Sequence, residues 1–141
     1  MAEQLCYENI QVGYQIPSLT KHPTTRQVVK WCCLFQRFYE IHYDKDFAIS
    51  IGLPGVAVYG EMVASFLAQM LIDWIGEQGT IKKFNYSFRG AVLASEDVIC
   101  KGRVYNKLIQ DDDHCLECDV WAENSKGEKT VVGKAVIVLN R

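Results

Sequence analysis

His42 and Gly60 are two residues whose types and spacing suit chemistry on a carbonyl group. Histidine exchanges a proton near neutral pH, so His42 is a candidate general acid or base. Gly60 stands at the mouth of a strongly apolar segment that is predicted to be a helix. A backbone N–H at a helix start can stabilise a negative oxygen, so Gly60 is a candidate oxyanion donor. A carbonyl substrate held between these residues would meet both groups.

A helix is predicted before His42. Thr24 and Gln27 match the capping-box pattern, in which the two side chains satisfy free backbone N–H groups at a helix start. Apolar residues then recur on one side, and the pattern continues to about Phe38. The loop that carries His42 therefore leaves a helix that can anchor it.

Residues 61–75 are apolar almost all round and are followed by Gly76, which predicts a buried helix that ends there. This helix rises only about 22 Å, too short for a membrane span, so its natural cover is a curved sheet. Alternating or β-branched runs supply the strands, at residues 81–88, 97–109, 114–123 and 130–139, with a further strand near 15–20. We expect an α+β fold, a single domain over residues 1–141 with an antiparallel sheet around one long helix.

Composition limits the classes of function. The formal charge of -2 gives no general attraction to nucleic acid or anionic lipid. The first residues lack a signal-peptide pattern, and no apolar stretch reaches the roughly 20 residues of a membrane span, so we expect a cytoplasmic protein. Cys115 and Cys118 form a CxxC, but on an alternating strand they point to opposite faces. We therefore expect reduced thiols, no metal site and no cofactor.

Residues 41–60, IHYDKDFAISIGLPGVAVYG, resemble the signature of the MaoC-like, or hydratase 2, family of (R)-specific enoyl-CoA hydratases and dehydratases. The resemblance extends to residues 7–13 and 85–92, and so covers nearly the whole chain. It implies the hot-dog fold, in which an antiparallel sheet wraps around a long central helix. The chain also resembles the small subunits of heteromeric acyl dehydratases.

The catalytic loop of this family reads approximately Gly-Asp-x-Asn-Pro-x-His-x-Asp, and His42 and Asp44 match its last histidine and aspartate. Arg37 stands where the family has its first, catalytic aspartate, and Tyr39 and Glu40 stand on the Asn-Pro. A guanidinium stays protonated and has no acceptor lone pair, so Arg37 cannot do the work of a carboxylate. Any chemistry must use a rearranged dyad, with Glu40 or Asp44 as the carboxylate.

The resemblance implies roles for individual residues. His42 orients or activates water, and Gly60, which matches the glycine of the family's His-Gly-Met, offers its N–H to the thioester oxygen. Tyr39 either orients water through its hydroxyl or fills the helix-loop junction with its ring. Asp44 either takes part in the site or caps the loop with a hydrogen bond.

Two arginines are candidate substrate-binding residues. Arg89 follows Ser87 closely, and Ser87 replaces an arginine that is common in the later strand motif of the family. Arg89 is therefore expected to serve a similar anion-binding purpose. Arg37 is a candidate for binding substrate if its side chain faces the acyl slot. Glu61 in the first turn of the central helix is most simply explained by a favourable interaction with the helix dipole.

The function implied by the resemblance is hydration of an enoyl thioester, or dehydration of a 3-hydroxyacyl thioester, in fatty acid metabolism. The acyl group is carried by coenzyme A or by acyl carrier protein. The chain is expected to act as a homodimer or in a heteromer with another hot-dog subunit. Alternatives are a non-catalytic partner that stabilises an active homologue, and an acyl-thioester binding protein. A thioesterase is a minor alternative, because hot-dog thioesterases usually use a differently placed carboxylate.

Overall fold

Residues 5–140, which the computed structural model describes, form a five-stranded antiparallel sheet with a long helix packed against it. The strands are β1 (Gln15–Lys21), β2 (Gly79–Phe88), β3 (Val98–Gln110), β4 (Asp113–Glu123) and β5 (Lys129–Leu139). The α-helices are α1 (Thr25–Phe35), α2 (Lys45–Ser50) and α3 (Gly60–Ile75), and short 3-10 helices lie at Tyr7–Asn9, Glu40–His42 and Gly76–Gln78. The strand order is β1-β3-β4-β5-β2, and every neighbouring pair is antiparallel.

The core lies between α3 and the inner face of the sheet. Helix α3 buries eight residues there, Met62, Val63, Ala64, Phe66, Leu67, Met70, Leu71 and Ile75. Alternate residues of the long strands meet them, because successive strand side chains point to opposite faces. On β4 these inner residues are Leu116, Cys118, Val120 and Ala122. The predicted fold, a sheet around one buried helix, is confirmed.

The predicted strands are confirmed, and their ends agree with the expected ones to within two residues. Cys118 belongs to the core cluster whereas Cys115 does not, as the alternation along β4 predicts. None of the helices within residues 5–140 combines the length and apolarity needed to cross a bilayer. Residues 5–140 share one continuous core. The predicted domain limits, 1–141, include terminal residues that lie outside the described range.

Helix α1 begins as predicted but ends earlier. The Thr24 hydroxyl accepts from the Gln27 N–H at 3.3 Å, and the Gln27 side-chain oxygen accepts from the Thr24 N–H at 2.9 Å. The expected continuation to about Phe38 is wrong, because α1 ends at Phe35. Gln36 takes a left-handed conformation with φ 53°, and its N–H donates to the Cys33 carbonyl at 3.3 Å. This cap redirects the chain towards the loop of His42.

Helix α2 lies in a segment for which the sequence predicted only a loop. Its N-cap is Asp44, whose Oδ1 accepts from the Phe47 N–H at 3.0 Å. Satisfying a free N–H in the first turn favours a helix even in a short segment. Helix α2 therefore begins three residues after His42 and anchors the second end of its loop.

Two thiols of the core are shifted far from their ordinary titration range. Burial raises the pKa of Cys100 and of Cys118 to about 12 in each case. The ordinary pKa of such a thiol, which the unfolded chain keeps, is 9.0. Since the folded pKa is the higher one, the thiolate forms first in the unfolded chain. The stability due to the neutral thiols is complete below the unfolded pKa and is lost as the pH rises towards 12.

We expect the free energy of unfolding to fall between about pH 9 and 12, by about 1.4 kcal/mol per pH unit for each thiol. Urea unfolding measured across this range tests the expectation. Cys100→Ala combined with Cys118→Ala should flatten the slope. Cys33→Ala, at an exposed thiol, is the matched control and should leave it unchanged. An undiminished slope in the double variant would contradict the assignment.

Candidate active site around His42

His42 is buried, with 7% of its surface exposed, and its Nδ1 lies 2.8 Å from the Ala57 carbonyl oxygen. A carbonyl only accepts hydrogen bonds, so Nδ1 carries the proton and donates it. In the neutral ring the lone pair is therefore on Nε2. Within residues 5–140, Nε2 has no hydrogen-bond partner. His42 thus presents the nitrogen that a general base uses.

The backbone around Ala57 fixes the orientation of the imidazole. The Ala57 N–H donates to the Ile41 carbonyl at 2.9 Å, one residue before His42. Ala57 also forms an antiparallel bridge with Leu93, in the segment before β3. Because the Ala57 N–H is bonded and the residues on either side of Ala57 make the hydrogen bonds of the bridge, the Ala57 carbonyl is held in place as an acceptor for the His42 ring. The histidine is oriented by a backbone dipole.

Two tyrosine rings flank His42. The Tyr59 ring centroid lies 4.9 Å from the His42 ring at an interplanar angle of 60°. The Tyr39 ring lies 6.3 Å away, almost perpendicular at 83°, and also contacts the Phe47 ring edge-on at 6.0 Å. These contacts support the packing role of Tyr39 at the junction between the loop and α2. Orientation of water by its hydroxyl stays a prediction.

Gly60 is the first residue of α3, and it lies against Phe88 at the end of β2. A Cβ atom at Gly60 would lie 2.9 Å from Cε1 of the Phe88 ring, closer than van der Waals contact allows. The glycine therefore has a steric explanation as well as the oxyanion role that the sequence suggested. Arg89, next along the chain, is exposed, and its backbone N–H donates to the Thr130 carbonyl at 2.7 Å.

The carboxylates near His42 do not form the expected rearranged dyad. Asp44 caps α2, which is the second of its two predicted roles. Within residues 5–140, neither Glu40 nor Asp44 hydrogen-bonds to His42, whose Nδ1 is used by a carbonyl. Glu61 is exposed in the first turn of α3, where its negative charge interacts favourably with the helix dipole. Within the described residues, His42 thus has no hydrogen-bonded carboxylate from its own loop.

Arg37 and Arg89 are exposed, and within residues 5–140 neither side chain forms an ion pair or a hydrogen bond. The structure brings His42 together with Tyr39 through ring contacts. It links His42 to Gly60 through the neighbouring Tyr59. Roles of these arginines in binding substrate stay predictions.

Sequence reasoning missed two participants, the Ala57 carbonyl and the Phe88 ring. Every residue has a backbone carbonyl, so nothing in the sequence marks Ala57 as the acceptor. Phe88 lies within residues 85–92, which the family resemblance covers, but the resemblance assigns it no role. Its contact with Gly60 spans 28 positions of sequence and follows only from the packing of β2 on α3.

Comparison with family models and with curated proteins finds no match. Solved structures do match. The (R)-hydratase from A. caviae involved in PHA biosynthesis has a TM-score of 0.83 at 22% identity, covering 94% of this chain and 99% of that chain. R-hydratase PhaJ1 from Pseudomonas aeruginosa has a TM-score of 0.84 at 16% identity, covering 96% of this chain and 85% of that chain. The ChsH1-ChsH2 complex from Mycobacterium tuberculosis has a TM-score of 0.77 at 20% identity, covering 92% and 98%.

Identities this low show the fold alone. The structural neighbours are nevertheless of the kind that the sequence resemblance named, since two of them are R-hydratases. The chain therefore has the hot-dog fold that its sequence predicts, and it shares this fold with R-hydratases.

Proposed function

We propose that the chain is a MaoC-like enoyl-thioester hydratase, or a subunit of one, which also catalyses the reverse dehydration of a 3-hydroxyacyl thioester. One observation carries the proposal. His42 is buried with Nδ1 held by the Ala57 carbonyl, which leaves Nε2 as the proton acceptor. The fold shared with R-hydratases supports the same reaction class.

Hydration of an enoyl thioester requires a base for water, a proton for the α-carbon and a donor for the enolate oxygen. Nε2 of His42 takes a proton from water as the water oxygen bonds to the β-carbon. The thioester oxygen, which gains negative charge, accepts a hydrogen bond from the Gly60 N–H at the start of α3. The proton on His42 then passes to the α-carbon, so the elements of water add across the double bond.

The Ala57 carbonyl partly replaces the missing carboxylate. When Nε2 takes a proton, the imidazolium needs a negative partner at Nδ1. The carbonyl oxygen lies at 2.8 Å and supplies a partial negative charge. A dipole stabilises the cation less than a full charge does, so we expect slower turnover than in a family member with the aspartate.

The active assembly is a homodimer or a heteromer with another hot-dog subunit. Strand β2 pairs only with β5 within residues 5–140, so one edge of β2 is unpaired. An unpaired strand edge suits pairing with a second sheet. The substrate is an acyl-CoA or an acyl carrier protein thioester, and we propose a cytoplasmic location.

A second candidate is a non-catalytic partner that completes the acyl slot of an active homologue. The residue at position 37 favours it, because Arg37 stands where the family has its catalytic aspartate. The use of Asp44 as a helix cap favours it too. In this role the chain keeps the fold and the oligomer interface while the other subunit performs the chemistry.

The test is loss of enoyl absorbance on addition of water to the thioester. The chain is assayed alone and together with a second hot-dog chain that has the intact Asp and His loop. We expect hydration in at least one of these states. Inactivity in both would overturn the enzyme proposal, and calorimetry with a non-hydratable acyl thioester would then show whether the chain only binds.

A further inference from the structure

The outward face of α1 and the turn after it are both basic and apolar. We name this surface the α1 patch and define it by five exposed residues, Arg26, Lys30, Leu34, Arg37 and Phe38. Residues 24–38 contain three cationic residues and no acidic one, although the whole chain has a formal charge of -2. Leu34 is 74% exposed and Phe38 is 55% exposed. The patch differs in charge from the chain as a whole.

Helical spacing places the first residues of the α1 patch side by side. Arg26, Lys30 and Leu34 are each four positions apart, so they form one stripe along the helix. The opposite side of α1 buries Val28 and Cys32 in the core. The stripe therefore faces outward because the other face is already packed.

Three features of the α1 patch are unfavourable for the stability of helix α1. Arg26 lies in the first helical turn, where a cation is unfavourable towards the helix dipole. Arg26 and Lys30 repel each other at a spacing of four residues. Leu34 exposes a large apolar side chain to water. Residues that break local rules without structural gain are candidates for function.

The cations of the α1 patch are free to bind an anionic partner. Among the described residues, none of Arg26, Lys30 and Arg37 forms an ion pair. Arg103, in contrast, pairs with Asp119. Charged side chains beside apolar ones match a protein surface that presents carboxylates around an apolar contact.

We propose that the α1 patch docks an acidic acyl carrier protein that presents the thioester substrate. The proposal rests on the proposed function, since it names the carrier for the same site. Phe38 lies at the entry to the loop of His42, and its carbonyl accepts from the Tyr43 hydroxyl at 3.1 Å. A carrier protein bound to the α1 patch therefore places the flexible group that carries its thioester beside this loop. The net negative charge of the chain favours a small acidic protein over an extended anionic bilayer.

The experiment compares two matched charge reversals, Lys30→Glu in the α1 patch and Lys126→Glu in the turn before β5. Both lysines are exposed. Binding of a fluorescent acyl carrier protein in its 3-hydroxyacyl form is measured by anisotropy at low salt, with the chain in its active assembly. We expect Lys30→Glu to weaken binding about tenfold, and Lys126→Glu to change it less than about twofold. Thermal unfolding checks that both variants are folded.

Further measurements distinguish binding of the carrier protein from binding of other anions. Turnover of the same enoyl group is measured on the carrier and on coenzyme A, and Lys30→Glu should lower the first more than the second. An equal loss on both would overturn the proposal and assign the α1 patch to coenzyme A phosphates. Binding to anionic phospholipid vesicles without binding to the carrier would overturn it in favour of a membrane surface.

The two proposals fail separately, because anisotropy does not need turnover. An inactive assembly that still binds the carrier through Lys30 would contradict the enzyme and leave the docking surface in place. An active assembly whose carrier affinity is the same in Lys30→Glu and in wild type would overturn the docking surface alone. Leu34→Ser should also weaken carrier binding, and an unchanged affinity there would overturn the apolar part of the contact.

Discussion

His42→Asn is expected to lower the rate constant of enoyl-thioester hydration by at least about 100-fold while the protein stays folded. The asparagine amide places an N–H donor near the position of Nδ1, so the hydrogen bond to the Ala57 carbonyl at 2.8 Å can be kept. It has no group at the position of Nε2, and therefore no base. The variant removes proton transfer and spares the buried acceptor.

The measurement is kcat/KM in the active assembly, with thermal unfolding of each variant. His42→Ala is the contrast, because it leaves the Ala57 carbonyl without its donor and should cost about 1–3 kcal/mol of stability. His22→Asn is the control, since His22 is exposed and pairs with Asp97 at the surface. Full activity of an assembly that carries His42→Asn in this chain would contradict catalysis by His42. That result would favour the non-catalytic partner.

Gly60→Ala is expected to slow hydration by about 10- to 100-fold, the scale of effect seen when a group near the chemistry moves by about 1 Å. Its new Cβ would lie 2.9 Å from the Phe88 ring, so the ring or the start of α3 must shift. Phe88 is 51% exposed, which lets the ring turn away. We therefore expect only about 1 kcal/mol loss of stability. The backbone N–H of residue 60 is present in both proteins.

A double-variant cycle separates the steric cause from the oxyanion role. In a Phe88→Ala background the added methyl group has room, so Gly60→Ala should cost less than about threefold in kcat/KM. Tyr86→Ala, on the same strand and also exposed, is the matched control background and should not rescue. Equal penalties with and without the Phe88 ring would show that the clash is not the reason for glycine at position 60.

The sequence predicted the elements that depend on local patterns. The apolar run before Gly76 became α3, and the capping box at Thr24 began α1 where expected. Alternation in the second half of the chain became β2 to β5. These predictions succeeded because cap chemistry and side-chain periodicity act between residues that are close in sequence. The same patterns and the resemblance of residues 41–60 were enough to predict the fold.

The local chemistry of the candidate site was only partly accessible from the sequence. His42 and Gly60 could be named from their types and from the resemblance. The end of α1 could not be placed, because a left-handed Gln36 caps it where glycine is the usual signal. Two roles were predicted for Asp44, one in the site and one as a cap. The hydrogen bond that it accepts from the Phe47 N–H shows the capping role.

Only the tertiary structure decided how His42 is oriented and what surrounds Gly60. The partner of Nδ1 is the Ala57 carbonyl, a group without any signature in the sequence. The neighbour of Gly60 is Phe88, which the pairing of β2 with β5 brings to the start of α3. By itself the sequence determined the fold and the residues with chemical potential, since these follow from side-chain type and local spacing. Their partners depend on contacts between distant segments, which exist only once the sheet has closed over the helix.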